Sequence, residues 1–320
     1  MTRFMVPQRA AAYFLILLLL VSGGYGQRKG KASRPSSERG AILWEPVNTR
    51  SLDLFEGPGG TAMHPDLSTV KLIKEEKKGH NKKFRISDGR GRIWIAKLGR
   101  EAQPETAAVR LLYGLGYKTE INYLVPSLTI PGKGTFNNVR LEARPDNVER
   151  LGEWKWRSNP FVGTRELQGL KMMMAFMANW DLLDLQNKIL EVNGGEQQYI
   201  ISDLGATFGK LGNNNLPIFF RLGRKTGSPK NYIKTSFVKK VEDGEVKLAF
   251  KGKSRKLMRG FTIADARWLS NLLNRLSDQQ IRDIFRAANY SPADVDTFTR
   301  AVTNKIQELD RAAGSNLALN

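Results

Sequence analysis

The chain has 320 residues, with 51 Lys and Arg against 31 Asp and Glu, for a formal net charge of +20. It contains no cysteine and only two histidines, His64 and His80, which excludes disulfides, thiolate nucleophiles and cysteine-ligated metal and leaves a zinc hydrolase or a histidine-dependent triad poorly supported. An apolar content of 41% with 26% charged residues fits an ordinary folded protein, and the positive excess favours polyanionic partners.

Arg3 and Arg9 precede an unbroken run of small and apolar residues from Ala10 to Val21, followed by Ser-Gly-Gly-Tyr-Gly. This order predicts a signal peptide over 1–26 with cleavage near Gly26, and hence a periplasmic or extracellular protein. The run falls short of the roughly 20 apolar residues that span a bilayer, so an uncleaved anchor is the lesser alternative. Residues 27–67 read as a flexible basic leader passing into loop, with Gly-Pro-Gly-Gly at 57–60.

From residue 68 the pattern changes to strands. Segments 69–75, 83–87 and 92–98 alternate apolar and polar residues, and Asp88-Gly-Arg-Gly supplies a tight turn before the third. A helix follows with Pro104 in its first turn, ending at Gly114 and Gly116. Two more strands, near 121–130 and 135–143, complete a small antiparallel sheet with one helix inserted after its third strand. The second half reads as mainly helical. Thr164 caps a helix whose methionines at 172–174 serve as core. Short strands near 188–192 and 198–202 flank an Asn-Gly-Gly turn, and Asp243-Gly244 marks a hairpin over 236–250. Thr262, Ser277 with Gln280, and Ser291 with Pro292 open the last helices.

Four features carry chemistry in chain order. Lys97 ends an apolar strand, where an ammonium is costly unless paired. Glu105 lies in the first turn of the next helix. Asp181, Asp184 and Asn187 sit in Asn-Trp-Asp-Leu-Leu-Asp-Leu-Gln-Asn after the methionine helix, and Asp203 follows an apolar strand within Ser-Asp-Leu-Gly. Strand lysine, helix glutamate, an Asp-to-Asn loop, two short strands and then Asp-Leu-Gly together resemble the protein-kinase-like fold. The style is that of atypical members such as HipA-type, spore-coat and secreted Golgi kinases.

The resemblance implies an α+β, two-lobed fold, with a sheet lobe over 68–145 and a mainly helical lobe over 146–320, joined by a hinge at 143–147. It implies ATP and Mg²⁺ as cofactors. Lys97 would grip the nucleotide phosphates and Glu105 would pair with it, with the basic turn around Lys78 and Gly79 lying over the phosphates. Asp203 and Asn187 would hold the metal, and either Asp181 or Asp184 would be the catalytic base. The sequence departs from common kinases: the 77–83 turn has no Gly-x-Gly-x-x-Gly, there is no His-Arg-Asp, and Asn187 follows Asp181 by six positions.

Residues 212–259 hold thirteen Lys and Arg against Glu242, Asp243 and Glu245, with Phe219, Phe220, Tyr232, Phe237 and Phe250 interleaved. This basic hairpin insert would face an anionic macromolecule or a lipid surface. The leading function is therefore an exported phosphotransferase acting on a protein, lipid or glycan. The rival is a catalytically inactive kinase-like module that binds an anionic polymer or membrane surface. Nucleic acid is a weaker partner, because no reading motif is present.

Overall fold

The computed structural model describes residues 40–77, 81–211 and 225–314. The signal-peptide and leader readings up to residue 39, Lys78 and Gly79, and residues 212–224 of the basic segment with Phe219 and Phe220 lie outside the described residues. No described helix is long and apolar enough to cross a membrane.

Among the described residues, two larger sheets, a two-stranded hairpin and a group of helices make up an α+β architecture. A two-residue strand, β1 (Ala41–Ile42), opens the described chain, and three short 3-10 turns follow between Thr49 and Met63. The first sheet is antiparallel, built from β2 (Lys71–Glu76), β3 (Lys83–Ser87), β4 (Ile93–Lys97), β5 (Asn122–Ile130) and β6 (Gly134–Ala143), in the order β2-β3-β4-β6-β5. The tight turn before β4 is organised by Asp88, whose carboxylate accepts the N–H groups of Arg90, Arg92 and Asp66 and the indole N–H of Trp94. Phe84, Ile86, Trp94, Ala96, Val139 and Leu141 fill the core of this sheet.

The helix α1 (Ala102–Gly114) follows β4 as expected. Nearly every position is buried, including Glu105, Thr106 and Arg110. It packs against β5 and β6 on one side and against a C-terminal helix on the other. Leu43 and Leu54 share its core cluster. The segment before residue 68 therefore contributes core side chains, and Trp44 Nε1–H donates to the Leu115 carbonyl at 2.7 Å.

Residues 144–147 connect the two sheets. The second sheet contains β7 (Val148–Gly152), β8 (Asn187–Val192) and β9 (Glu196–Ile201), with β1 added in parallel, in the order β1-β9-β8-β7. Sequence reading missed β1 and β7, because two residues show no periodicity and Val148-Glu-Arg-Leu-Gly exposes most of its side chains.

The helices are α2 (Arg165–Phe176), a single turn α3 (Pro229–Tyr232), α4 (Ile263–Leu273), α5 (Asp278–Arg286) and α6 (Pro292–Ala312). The side chains of Thr164, Thr262, Ser277 and Ser291 all cap as read from sequence, supplying acceptors to helix N–H groups that otherwise lack partners. Met172, Met173 and Met174 are fully buried core. The hairpin of β10 (Val238–Glu242) and β11 (Glu245–Leu248) turns at Asp243 and Gly244, both at positive φ, as a two-residue hairpin loop requires. It is rooted on α6, where Glu308 accepts the N–H groups of Phe237 and Val238 at 2.8 and 3.0 Å. Two of the interleaved aromatics of the basic segment, Tyr232 and Phe237, are core residues and present no face to a ligand.

Phe208, Tyr232, Phe285, Tyr290 and Phe298 form an aromatic knot, with Phe285 and Phe298 stacked at 4.5 Å. Phe298 has no exposed surface. Phe298→Ala should therefore cost about 3–5 kcal/mol and lower the melting temperature by roughly 6–20 °C. A calorimetric scan showing a drop of less than about 2 °C would mean that the knot is loosely packed.

Candidate active site

The lysine at the end of β4 is held by a cluster of buried charge. Lys97 pairs across the sheet with Arg140 on β6, and Ile95 pairs with Glu142. Strand alternation sends Val139, Leu141 and Ala143 into the sheet core, while Arg140 and Glu142 turn to the other face, toward α1. There Lys97 Nζ lies 3.1 Å from Glu105 Oε1 and 3.6 Å from Glu142 Oε2. Arg140 Nη2 lies 3.0 Å from Glu105 Oε1 and 2.6 Å from Glu142 Oε2. Arg144 and Arg150 pair with the other oxygen of Glu142, and Arg150 also pairs with Glu120, which accepts the Ser202 hydroxyl at 2.9 Å. The cluster thus ties β4, α1 and β6 to the 144–147 connection, β7 and the end of β9.

Burial decides how each charge behaves. Desolvation pushes the Glu105 carboxyl up to about 7, against the pull of Arg140 and Lys97. Desolvation also opposes the Lys97 charge, but Glu105, Glu142 and Asp203 outweigh it and hold its pKa above the ordinary value. Glu142 is buried too, yet Arg144, Arg140, Lys97 and Arg150 hold its carboxyl well below the usual range. Glu142 is therefore the fixed anion of the cluster, and Glu105 is the member that titrates near neutrality.

Arg140 has no exposed surface, whereas Lys97 is 15% exposed. Arg140→Met leaves Glu105 and Glu142 without their shared guanidinium and should cost about 3–5 kcal/mol. Lys97→Met should cost clearly less, because Glu105 keeps Arg140 at 3.0 Å. Equal losses in chemical denaturation would mean that Arg140 is not the internal counterion.

A carboxyl whose pKa rises on folding contributes stability that is fully present below its unfolded value, near 4.5, and lost as pH climbs through about 7. Glu105→Gln removes that dependence. The melting temperature of the variant should gain on that of the wild type from pH 5 to pH 8, by at most about 1.4 kcal/mol of stability per pH unit. A constant difference over that range would show that Glu105 does not titrate there.

The remaining candidates lie on two loops that run side by side. Ser202 N–H donates to the Gln186 carbonyl at 2.7 Å, Trp180 N–H to the Ala206 carbonyl at 3.4 Å, and Phe208 N–H to the Met177 carbonyl at 2.8 Å. These bonds hold the loop carrying Asp203 against the loop carrying Asp181, Asp184 and Asn187. Gly205 allows the first loop to approach α1, since a Cβ there would fall 2.6 Å from Glu101 Cβ. Asp203 is exposed, and its charge supports protonation of both Lys97 and Arg140.

Asn187 opens β8 and is fully buried. Its Nδ2 donates to the Trp154 carbonyl at 3.0 Å, and its Oδ1 has no hydrogen-bond partner. An orphaned buried acceptor calls for a reason, and an oxygen-seeking cation beside Asp203 would satisfy it. Among the described residues no group of three or more His, Cys, Asp or Glu is arranged to hold a metal, so a hard cation here would rely on one carboxylate, one amide and oxygens brought by a ligand.

The two candidate bases differ in their surroundings. Asp184 Oδ1 accepts the Trp156 N–H at 3.0 Å, which fixes the 153–156 loop. Asp181 Oδ2 accepts Gln186 Nε2–H at 2.9 Å, and its Oδ1 lies 2.5 Å from Lys253 Nζ. Sequence reading missed Arg140, Glu142, Arg150 and Gln186, and placed Lys253 only within the basic segment. Charged residues at 140 and 142 between apolar neighbours were the available signal for the first two.

No protein-family model and no curated protein matches the chain. Among solved structures it is similar to the Helicobacter pylori proinflammatory kinase CtkA, with a TM-score of 0.49 and 10% sequence identity, over 80% of this chain and 98% of that one.

Proposed function

We propose that the chain is an ATP- and Mg²⁺-dependent phosphotransferase. One observation carries the reading: an ion-paired lysine at a strand end stands in the field of Asp203, whose loop adjoins a buried asparagine with an open carbonyl oxygen. Lys97 binds the nucleotide phosphates as a point charge, and Glu105 with Arg140 keeps its side chain oriented. Asp203 and Asn187 are the residues that would hold Mg²⁺, which when bound neutralises phosphate charge and aligns the transferred group. Asp181 is the base that receives the proton of the acceptor hydroxyl, oriented by Gln186. Asp184 is assigned a structural role through Trp156. Lys78 and Gly79, which follow β2 in the chain, are assigned to cover the phosphates. The arginine-flanked apolar run supports export, with an extracytoplasmic acceptor.

ATP with Mg²⁺ at about a hundred times its dissociation constant should add roughly 2.7 kcal/mol, raising the melting temperature by several degrees. Asp203→Ala should abolish the shift, while Asp181→Ala should keep it and lose phosphate transfer. The absence of a shift with any nucleotide and divalent metal would contradict the assignment, and a full shift in Asp203→Ala would mean that the metal lies elsewhere.

A further inference from the structure

Residues 249–260, between β11 and α4, carry Lys251, Lys253, Arg255, Lys256 and Arg259 and no acid. The segment is seated by Ala249 N–H on the Phe237 carbonyl at 2.8 Å, by Lys253 N–H on the Trp180 carbonyl at 2.9 Å, and by the burial of Leu257 and Met258. Gly252 is the point of closest approach. A Cβ there would meet Trp180 Cα at 2.8 Å and Phe250 Cζ at 2.6 Å, so the backbone lies directly on the residue that precedes Asp181. The next side chain, Lys253, then reaches Asp181 Oδ1 at 2.5 Å, while Gln186 occupies Oδ2.

Both oxygens of the base are therefore engaged, and the ammonium stands where an acceptor hydroxyl would have to donate its proton. The Lys253 side chain is 46% exposed and that of Asp181 30%, while Asp181 Oδ1 itself is buried and makes no hydrogen bond, so the ammonium holds it by charge alone. Exposed pairs of this kind are weak and exchange readily. A neutral alcohol offers Lys253 no new partner. An acceptor with an anionic group beside its hydroxyl offers one, and the exposed side chains of Lys251, Arg255, Lys256 and Arg259 extend the same preference.

We infer that Lys253 is a specificity-determining cation. It caps Asp181 until an acceptor hydroxyl carried beside an anionic group takes the lysine over. The inference rests on the phosphotransferase reading and adds the substrate class. In the step it serves, the acceptor oxygen bonds to the γ-phosphorus, and the bond from that phosphorus to the β–γ bridging oxygen breaks with its electron pair leaving on ADP. The hydroxyl proton passes to Asp181 Oδ1. Without an acceptor, the cap keeps Asp181 from deprotonating water, so idle hydrolysis of ATP is suppressed.

Binding of three probes to wild type, Lys253→Ala and Lys253→Arg, with a non-hydrolysable ATP analogue and Mg²⁺, tests this directly. The probes are a serine peptide flanked by glutamates, the same peptide flanked by glutamines, and an inositol phosphate. Wild type should bind at least one anionic probe about tenfold or more tighter than the glutamine peptide, and which one it binds identifies the source of the anion. Lys253→Ala should lose that preference, and Lys253→Arg should keep it. Acceptor-free ATP hydrolysis should rise several-fold in Lys253→Ala. The inference is overturned if neither anionic probe binds, if wild type does not prefer them, or if Lys253→Ala binds them as wild type does. Lysine-dependent binding with no phosphate transfer to any probe once ATP replaces the analogue would uphold the anion site and count against the phosphotransferase reading, so the two failures are distinguishable.

Discussion

A guanidinium with no exposed surface, Arg140, lies between two buried carboxylates, and the position of Lys97 depends on it. Removing three or four charges from water is expensive, and the arrangement survives because each carboxylate meets more than one cation at hydrogen-bonding distance. Glu142 is saturated by Arg140, Arg144 and Arg150. Glu105 is shared between Arg140 and Lys97, and burial raises its carboxyl pKa to about 7. Lys97 shares Glu105 with Arg140 and is 15% exposed, which leaves its ammonium able to engage an incoming anion.

The same cluster holds α1 from one side while the helical core holds it from the other. Glu105 is fixed electrostatically from the sheet side, and Ala107, Ala108, Leu111 and Leu112 are fixed by the helical core. Arg110 adds two bonds to Asn122 on β5. The helix is a wedge shared by the sheet and the helices, so the Lys97–Glu105 pair is set by the fold itself. At the other end of the site, Gly205 and Gly252 do the corresponding work by omitting a side chain. One lets the Asp203 loop lie on Glu101, and the other lets the basic segment lie on Trp180. Charge is thereby delivered to one place from β4, from the loop after β9 and from the segment after β11.

Much of this was legible in the sequence. Strand alternation located β2 to β6, and the capping residues Thr164, Thr262, Ser277 and Ser291 each marked a real helix start, because both signals are local. The pairing of Lys97 with Glu105 was implied by the resemblance, and the cost of an unpaired ammonium at the end of an apolar strand agrees with it. What could not be read was non-local. Nothing near residue 41 announces that Ala41 and Ile42 will extend the β8–β9 sheet. Nothing near residue 253 announces Asp181, seventy-two positions earlier. Arg140 looked like an ordinary strand charge, because only the packing of α1 turns that face of β6 into an interior. The burial of Tyr232 and Phe237, which are interleaved in the basic segment, was hidden for the related reason that α6, which covers their neighbourhood, comes at the end of the chain.

The account stands or falls on whether Asn187 and Asp203 share a cation next to Lys97. A crystal structure with a non-hydrolysable ATP analogue and Mg²⁺ measures this. The account predicts Asn187 Oδ1 and an Asp203 oxygen both at about 2.0–2.2 Å from the metal, with Lys97 Nζ on a phosphate oxygen and Glu105 still on Lys97. A nucleotide bound elsewhere, or a metal whose coordination omits both Asn187 and Asp203, would contradict it.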